Sequence, residues 1–326
     1  MTGIFRTNNP LNTFLLLVYG IFIKFFWLLH PRIPVVHKSY GFLFNDFLKA
    51  IVPFFNPFPR IYFLIAFLLI FLQAVTFNQV MVSRRMMQKP NFLPAMSYLL
   101  ITSFFPEWNV LSAPLIINTI FIWVWASMSN LNSSRHAKGT LYNVGIAIGL
   151  ASFLYLPAVA FALFVILSLI ITRPPKVAEW LITFLGIATP WYFLVVYLFL
   201  TNKLYSFHFS GLGLPQPSFN FSYNEWIGIG VIVFMILAGA LYVRLFMNKQ
   251  ILQVRKNWGQ MALYFAIAIA TPFVIMGHSI GYWMLALVPA SAFIACAFYY
   301  PQKRWIPFVM QWLMLGFAVY MQYFKK

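Results

Sequence analysis

The chain has 326 residues, of which 62% are hydrophobic and 8% charged, and its formal net charge is +18. This composition leaves too little polar surface to cover a soluble globule of that length. Apolar runs of about 20 residues recur along the chain and predict an all-α, polytopic integral membrane protein. The whole chain, 1–326, is expected to form a single transmembrane domain.

The cations lie in short turns between apolar runs, where Lys and Arg set membrane orientation and meet anionic headgroups. Because there is no basic arm or tail, nucleic acid is not expected as a partner. Cys296 is the single cysteine and lies in an apolar run, which excludes a disulfide framework and a CxxC site. We expect it to be a small buried hydrophobe, and we expect no metal and no cofactor.

In chain order, the apolar runs predict about eleven transmembrane helices, with a range of 9–12. They lie near 11–30, 61–80, 92–106, 110–128, 141–155, 158–172, 178–200, 227–247, 261–277, 283–299 and 306–323. The run 141–172 is divided before Pro157, because proline disfavours a continuing helix. The segments around 92–128 carry Pro94, Pro106 and Pro114, which predicts a kinked or shallow hairpin. The GxxxG sequence GIAIG (145–149) predicts close packing of two helices.

The cations divide unequally between alternate turns and predict the orientation. With a cytoplasmic N-terminus, the larger set faces the cytoplasm: Arg6, Arg84, Arg85, Lys89, Arg135, Lys138, Arg173, Lys176, Arg244, Lys249, Arg255, Lys256, Lys303 and Arg304. The smaller set faces outward: Arg32, Lys38, Lys49, Arg60, Lys203, Lys325 and Lys326. This division satisfies the positive-inside rule. It predicts a multi-pass protein with a cytoplasmic N-terminus.

The first outer loop, 31–60, is unusual because it concentrates the outer cations. One interfacial helix is predicted within it, over the sequence YGFLFNDFLKAIVPFF (40–55), with Asp46 and Lys49 together on one side. Asp46 is one of only four acidic residues in the chain. Two interpretations remain open: a solvated Asp46–Lys49 pair on a structural helix, or a functional carboxylate beside phosphate-holding cations.

Other candidate residues lie in the remaining outer turns. The second large outer loop, 201–226, is rich in aromatic residues, Gly and Pro, and carries His208 and Glu225. Such a loop is typical of an interfacial aromatic belt or of a binding lid. Glu107 and His278 lie in two further outer turns. Lys24 is the one clear charge within a span, and its side chain is long enough to reach the interface.

The residues from FLQAVTFNQVMVSRRMMQKPNFLPAMSYLL to NVGIAIGLASFLYLPAVAFALFVILSLIITR resemble an uncharacterised family of polytopic inner-membrane proteins of Bacteroidota, best over 60–200. That family is remotely similar to the GT-C membrane glycosyltransferases, which implies a reduced GT-C-like bundle. The resemblance implies a catalytic role for Asp46. It also implies that Arg32, Lys38, Lys49 and Arg60 hold the phosphate of a polyprenyl phosphate donor at the periplasmic face. In HPRIP (30–34), Arg32 stands where several GT-C families place an acid.

The implied function is a cell-envelope transferase whose donor is a polyprenyl-phosphate-linked sugar, with membrane lipids as partners. Two alternatives remain open. A non-catalytic structural or accessory subunit of a membrane-embedded envelope complex would explain the sparse ionisable groups and the helix-packing motifs. A lipid-handling flippase would place the basic loop against lipid phosphate without any need for an acid.

Overall fold

The computed structural model describes residues 2–37, 39–131, 137–174, 176–205, 207, 221–274, 279–303 and 305–323. Within these ranges the chain is helical and contains no strand. The helices are α1 (Thr2–Phe5), α2 (Leu11–Leu29), α3 (Phe42–Phe55), α4 (Arg60–Ser83), α5 (Leu93–Ile101), α6 (Ala113–Ser129), α7 (Ala137–Leu154), α8 (Phe161–Thr172), α9 (Val177–Leu200), α10 (Tyr223–Met247), α11 (Leu252–Ala270), α12 (Leu287–Tyr299) and α13 (Trp305–Tyr323). The predicted all-α class is confirmed.

Short 3₁₀ segments interrupt the longer helices, and three of the four in the described ranges contain a proline. They are Pro106–Asn109, Leu156–Ala160, Thr271–Val274 and Ile280–Ala286. Pro94, Pro106 and Pro114 each occupy the first turn of their segment, where a missing N–H costs nothing and the fixed φ favours a start. The break predicted before Pro157 is therefore present, as is the interrupted structure around 92–128.

Five segments are long and apolar enough to cross a membrane: Leu11–Leu29, Arg60–Ser83, Val177–Leu200, Tyr223–Met247 and Ile280–Tyr299. Two shorter apolar segments, Ala113–Ser129 and Leu156–Thr172, stand beside them. These lengths agree with a multi-pass membrane protein. A helix overlaps each of the eleven predicted spans, but α5 has only 9 residues. The number of spans therefore stays a prediction.

The helices begin and finish at two opposite ends of the bundle, where hydrogen bonds join neighbouring segments. At the basic end, where α2 begins, the Trp258 indole donates to the Met86 carbonyl at 3.1 Å and Lys256 donates to the Thr172 carbonyl at 2.6 Å. At the acidic end, where α2 finishes, the Gly41 N–H donates to the Leu154 carbonyl at 2.8 Å. These contacts are those expected of segments that run alternately up and down.

The charges follow the same division. The basic end holds most of the described cations, and its carboxylate, Glu179, pairs with Arg173 at 3.2 Å. Asp46, Glu107 and Glu225 lie at the acidic end, on α3, on the 3₁₀ segment 106–109 and at the start of α10. The structure contains no membrane, so which end faces the cytoplasm stays a prediction.

The core runs through the centre of the bundle along α5 and α12, whose residues are all buried. Cys296 lies in α12 and is fully buried, as expected for a small hydrophobe. α7 and α9 pack against each other over much of their length. A Cβ atom at Gly145 would lie 2.5 Å from the Thr183 carbonyl oxygen, and one at Gly186 would lie 2.4 Å from the Tyr142 carbonyl oxygen. The packing role predicted for GIAIG is thereby confirmed.

Candidate functional site

The first predicted site residues lie on α3, the helix expected in the loop 31–60. Asp46 and Lys49 form an ion pair at 3.1 Å across one helical turn, and both side chains are 66% exposed. This is the geometry of a solvated surface pair, which contributes little to stability. Among the described residues, Lys49 is the only cation that forms an ion pair with Asp46. Arg32 does not pair with Asp46.

A second ion pair joins two candidates that are far apart in the sequence. The Arg32 guanidinium lies 3.8 Å from a carboxylate oxygen of Glu107, with the side chains 54% and 32% exposed. Arg32 also lies over the Trp27 ring, 5.8 Å from its centroid. The second carboxylate oxygen of Glu107, Oε2, is buried and has no hydrogen-bond partner within the described structure. The pair therefore combines an accessible cation with a carboxylate that is only partly open to solvent.

The 3₁₀ segment that carries Glu107 is held from inside the bundle by Lys24. The Lys24 ammonium, 1% exposed, donates a hydrogen bond to Asn109 Oδ1 at 2.5 Å. The Asn109 amide in turn donates to the carbonyls of Thr102 and Phe105, both at 2.9 Å. Lys24 therefore points inward and does not extend to the interface. No local pattern links Lys24 to Asn109, so spacing alone does not predict this contact.

Residues 39–41 connect α3 to the same end of the bundle. The Tyr282 hydroxyl donates to Ser39 Oγ at 2.8 Å, and the Tyr40 ring meets the Tyr282 ring edge-on. Burial raises the pKa of the Tyr40 phenol, so this hydroxyl stays protonated at neutral pH. Next to Tyr282, a Cβ atom at Gly281 would lie 3.5 Å from Glu107 Cβ. Residues 279–282 therefore touch both the loop after α2 and the Glu107 turn.

An apolar groove opens beside this turn, between α10, α11 and residues 280–290. Its volume is about 220 Å³, and its lining includes Trp108, the residue next to Glu107. The Trp108 indole N–H donates to the Ile280 carbonyl at 2.9 Å. The acidic end thus places a cation and a carboxylate at the edge of an apolar groove.

The remaining candidates do not join this group. Arg60 is the exposed first residue of α4, and the described residues offer it no carboxylate. Glu225 forms a capping box with Ser222 at the start of α10, its carboxylate accepting the Ser222 N–H at 2.7 Å. Lys38, His208 and His278 lie outside the described residues, as does most of the loop 201–226.

In the described ranges, no group of three or more His, Cys, Asp or Glu side chains could hold a metal ion.

At the basic end, Arg84 donates hydrogen bonds to Ser129 Oγ and Asn130 Oδ1, both at 2.9 Å. These bonds tie the end of α4 to the end of α6. A structural role accounts for the contacts of Arg84.

A family model described as a family of unknown function, DUF6427, matches residues 32–326. The chain belongs to the DUF6427 family. The match includes Arg32, Asp46 and Glu107, and it extends well beyond residues 60–200, on which the sequence resemblance was best. The DUF6427 description carries no activity, so the remoter similarity to GT-C enzymes stays a prediction. No curated protein and no solved structure matches the chain.

Proposed function

We propose that this DUF6427 member is a GT-C-like transferase of the bacterial inner membrane that uses a polyprenyl-phosphate-linked sugar. In this proposal the N-terminus is cytoplasmic and the acidic end of the bundle faces the periplasm. Arg32 holds the lipid phosphate, and a carboxylate of the same end accepts the proton of the acceptor hydroxyl.

The observation that carries the proposal is the Arg32–Glu107 pair. Two residues from separate segments converge to 3.8 Å at the end of α2, and one of them is a carboxylate whose second oxygen is buried. A buried carboxylate oxygen without a donor is costly to maintain. In this proposal the acceptor hydroxyl approaches the other oxygen, which faces Arg32 on a side chain that is 32% exposed.

The chemistry requires few protein groups. The acceptor hydroxyl attacks the sugar carbon that is bonded to the lipid phosphate, and the carboxylate takes the hydroxyl proton as the new bond forms. The bond from that carbon to the phosphate oxygen breaks, and the lipid phosphate leaves toward a fixed positive charge. One carboxylate and one cation suffice for such an inverting displacement. In this proposal Glu107 is that carboxylate and Arg32 is that cation.

A non-catalytic role as an accessory subunit is the second candidate. It is favoured by the fact that both ion pairs of the acidic end, Asp46–Lys49 and Arg32–Glu107, neutralise themselves without any ligand. In that case the two pairs would fix loop positions on a packing surface. Only the transferase requires one of these carboxylates to accept a proton.

Complementation of a deletion strain distinguishes them. Glu107→Gln keeps the size and most hydrogen bonds of the side chain but removes the proton acceptor, so we expect a loss of about 10²–10⁴ in transfer rate. Asp46→Asn is the matched control, because its carboxylate is exposed and paired within one helix. The opposite result, loss with Asp46→Asn and rescue by Glu107→Gln, would assign the base to Asp46. Full rescue by both variants at normal protein level would leave the accessory role.

Retention of an anionic lipid tests the phosphate site. Arg32→Gln should release a co-purifying lipid phosphate, as measured by mass spectrometry, by about tenfold or more, because a charge-assisted contact contributes about 1.5–3 kcal/mol. Lys176→Gln removes one exposed charge at the opposite end and should change nothing. Equal lipid content in both variants would contradict phosphate binding at Arg32.

A further inference from the structure

The groove at the acidic end is apolar over its whole lining. Its floor is formed by buried residues such as Ile232, Ile236 and Ala290, and its rim by Trp226 and Val233, which are about half exposed. Because the Trp108 N–H is already bonded to the Ile280 carbonyl, its ring offers the groove only an apolar surface. No water-soluble ligand would find a polar partner on this lining.

The length of the groove matches one leaflet of a bilayer. Its α10 wall runs from Trp226 to Ile236, which at the helical rise corresponds to roughly 15 Å. The hydrocarbon core of a membrane is about 30 Å thick, so the groove would extend from the end of the bundle to about the midplane. α10 is itself one of the five helices long enough to span.

The upper end of the groove lies next to a charged site. Trp108 follows Glu107 directly, Gly281 lies against Glu107, and Ile280 belongs to the lining. Glu107 is paired with Arg32, whose guanidinium is suited to a phosphate oxygen. An amphipathic molecule with an anionic head and one long apolar chain therefore meets a complementary group at each end.

We propose that this groove holds one hydrocarbon chain of a lipid phosphate whose head contacts Arg32. The inference rests on the proposed function in one respect, the position of the phosphate, and it adds the path of the chain. The chain enters sideways between α10 and α11 and lies on Ala290, while the indoles of Trp108, Trp226 and Trp283 enclose its upper part. The ligand class is a single-chain or long-chain lipid phosphate.

The experiment uses the full chain in nanodiscs of zwitterionic phosphatidylcholine. The probe is a long-chain alkyl phosphate with a diazirine in the middle of its chain, and the matched probe is the alcohol with the same chain. After irradiation, peptide mass spectrometry locates the label. We expect the phosphate probe to label 226–236 and 280–290 about tenfold more than the lipid-facing helix α9. A specific binding site is occupied more often than a surface that meets lipid only by nonspecific contact.

Two variants narrow the groove. Val233→Trp blocks its rim and Ala290→Phe raises its floor; Val233 is about half exposed, so its substitution does not depend on repacking the core. Each should lower groove labelling about tenfold, because burial of several methylene groups is lost. Leu241→Trp adds the same bulk on the exposed side of α10, outside the groove, and should leave labelling unchanged.

Arg32→Gln separates the chain seat from the phosphate site. If it lowers labelling by the phosphate probe to the level of the alcohol, while Val233→Trp abolishes both, head and chain sites are both supported. If Arg32→Gln has no effect but Val233→Trp does, the groove stands and the proposed phosphate contact fails. Equal labelling of all lipid-facing helices, or unchanged labelling in Val233→Trp, would overturn the groove. Cross-linking of the groove to a second protein would also overturn it.

Discussion

Asn109 gives the sharpest stability prediction, because it is the partner of a lysine buried inside the bundle. Lys24 is 1% exposed, and Asn109 Oδ1 is the hydrogen-bond acceptor of its amino group among the described residues. Asn109→Leu removes this acceptor and the two amide bonds to the Thr102 and Phe105 carbonyls. The Lys24 donor would remain buried without an acceptor.

The expected cost follows from comparable buried pairs. Removing the acceptor while the Lys24 amine stays buried costs about 1–3 kcal/mol, because the donor keeps its desolvation penalty. Lys24→Met removes the donor and leaves Asn109 Oδ1 unpaired, at a similar cost of about 1–3 kcal/mol. The double variant Lys24→Met/Asn109→Leu should therefore be more stable than Asn109→Leu alone. The effects of the two substitutions on the free energy of unfolding should therefore be strongly non-additive.

The assay is the free energy of unfolding in detergent micelles, followed by far-ultraviolet circular dichroism, for the parent and the three variants. Asn143→Leu is the matched control, since Asn143 is exposed on α7 and its loss should change stability little. Strictly additive effects of Lys24→Met and Asn109→Leu, or an Asn109→Leu variant as stable as the control, would refute the reasoning.

Two further predictions concern packing and orientation. Gly145→Ala should destabilise the protein by about 1–3 kcal/mol through overpacking. Its Cβ would meet the Thr183 carbonyl and the Gly186 backbone. Gly139→Ala has open space around its Cβ and should be neutral or slightly stabilising when both variants are compared by thermal denaturation. Reporter fusions at residues 50, 135, 215 and 250 should read periplasm, cytoplasm, periplasm and cytoplasm. A cytoplasmic signal at residue 50 would place the acidic end on the wrong side for the proposed function.

The helices could be predicted from sequence because their signals are local. Apolar runs set their positions and proline residues set their breaks, as before Pro157 and at Pro106. The α3 helix and its Asp46–Lys49 pair also follow from spacing alone, since residues three apart lie on one side of a helix. The span number could not be settled in this way. Buried segments such as α5 are apolar because they lie in the protein core, whatever their length.

The tertiary pairs could not be predicted, because no local pattern links their members. Lys24 was recognisable as a charge within an apolar run, but Asn109 lies 85 residues further on and carries no charge. Arg32 and Glu107 were each singled out from the sequence. Their pairing depends on the 3₁₀ segment 106–109 reaching the end of α2, which only the folded bundle determines.

Two carboxylates of the acidic end, Asp46 and Glu107, depend on the fold to different degrees. Asp46 keeps its partner wherever α3 lies, because Lys49 is on the same helix and both face solvent. Glu107 keeps its partner only while α2 and the segment 106–109 hold their relative positions. Two contacts fix those positions: the Arg32–Glu107 ion pair at the surface and the Lys24–Asn109 hydrogen bond inside the bundle. Burying Lys24 and Asn109 to position one short turn is costly, and the result is that Glu107 is held in place. This fixed position makes Glu107 the stronger candidate for a substrate contact.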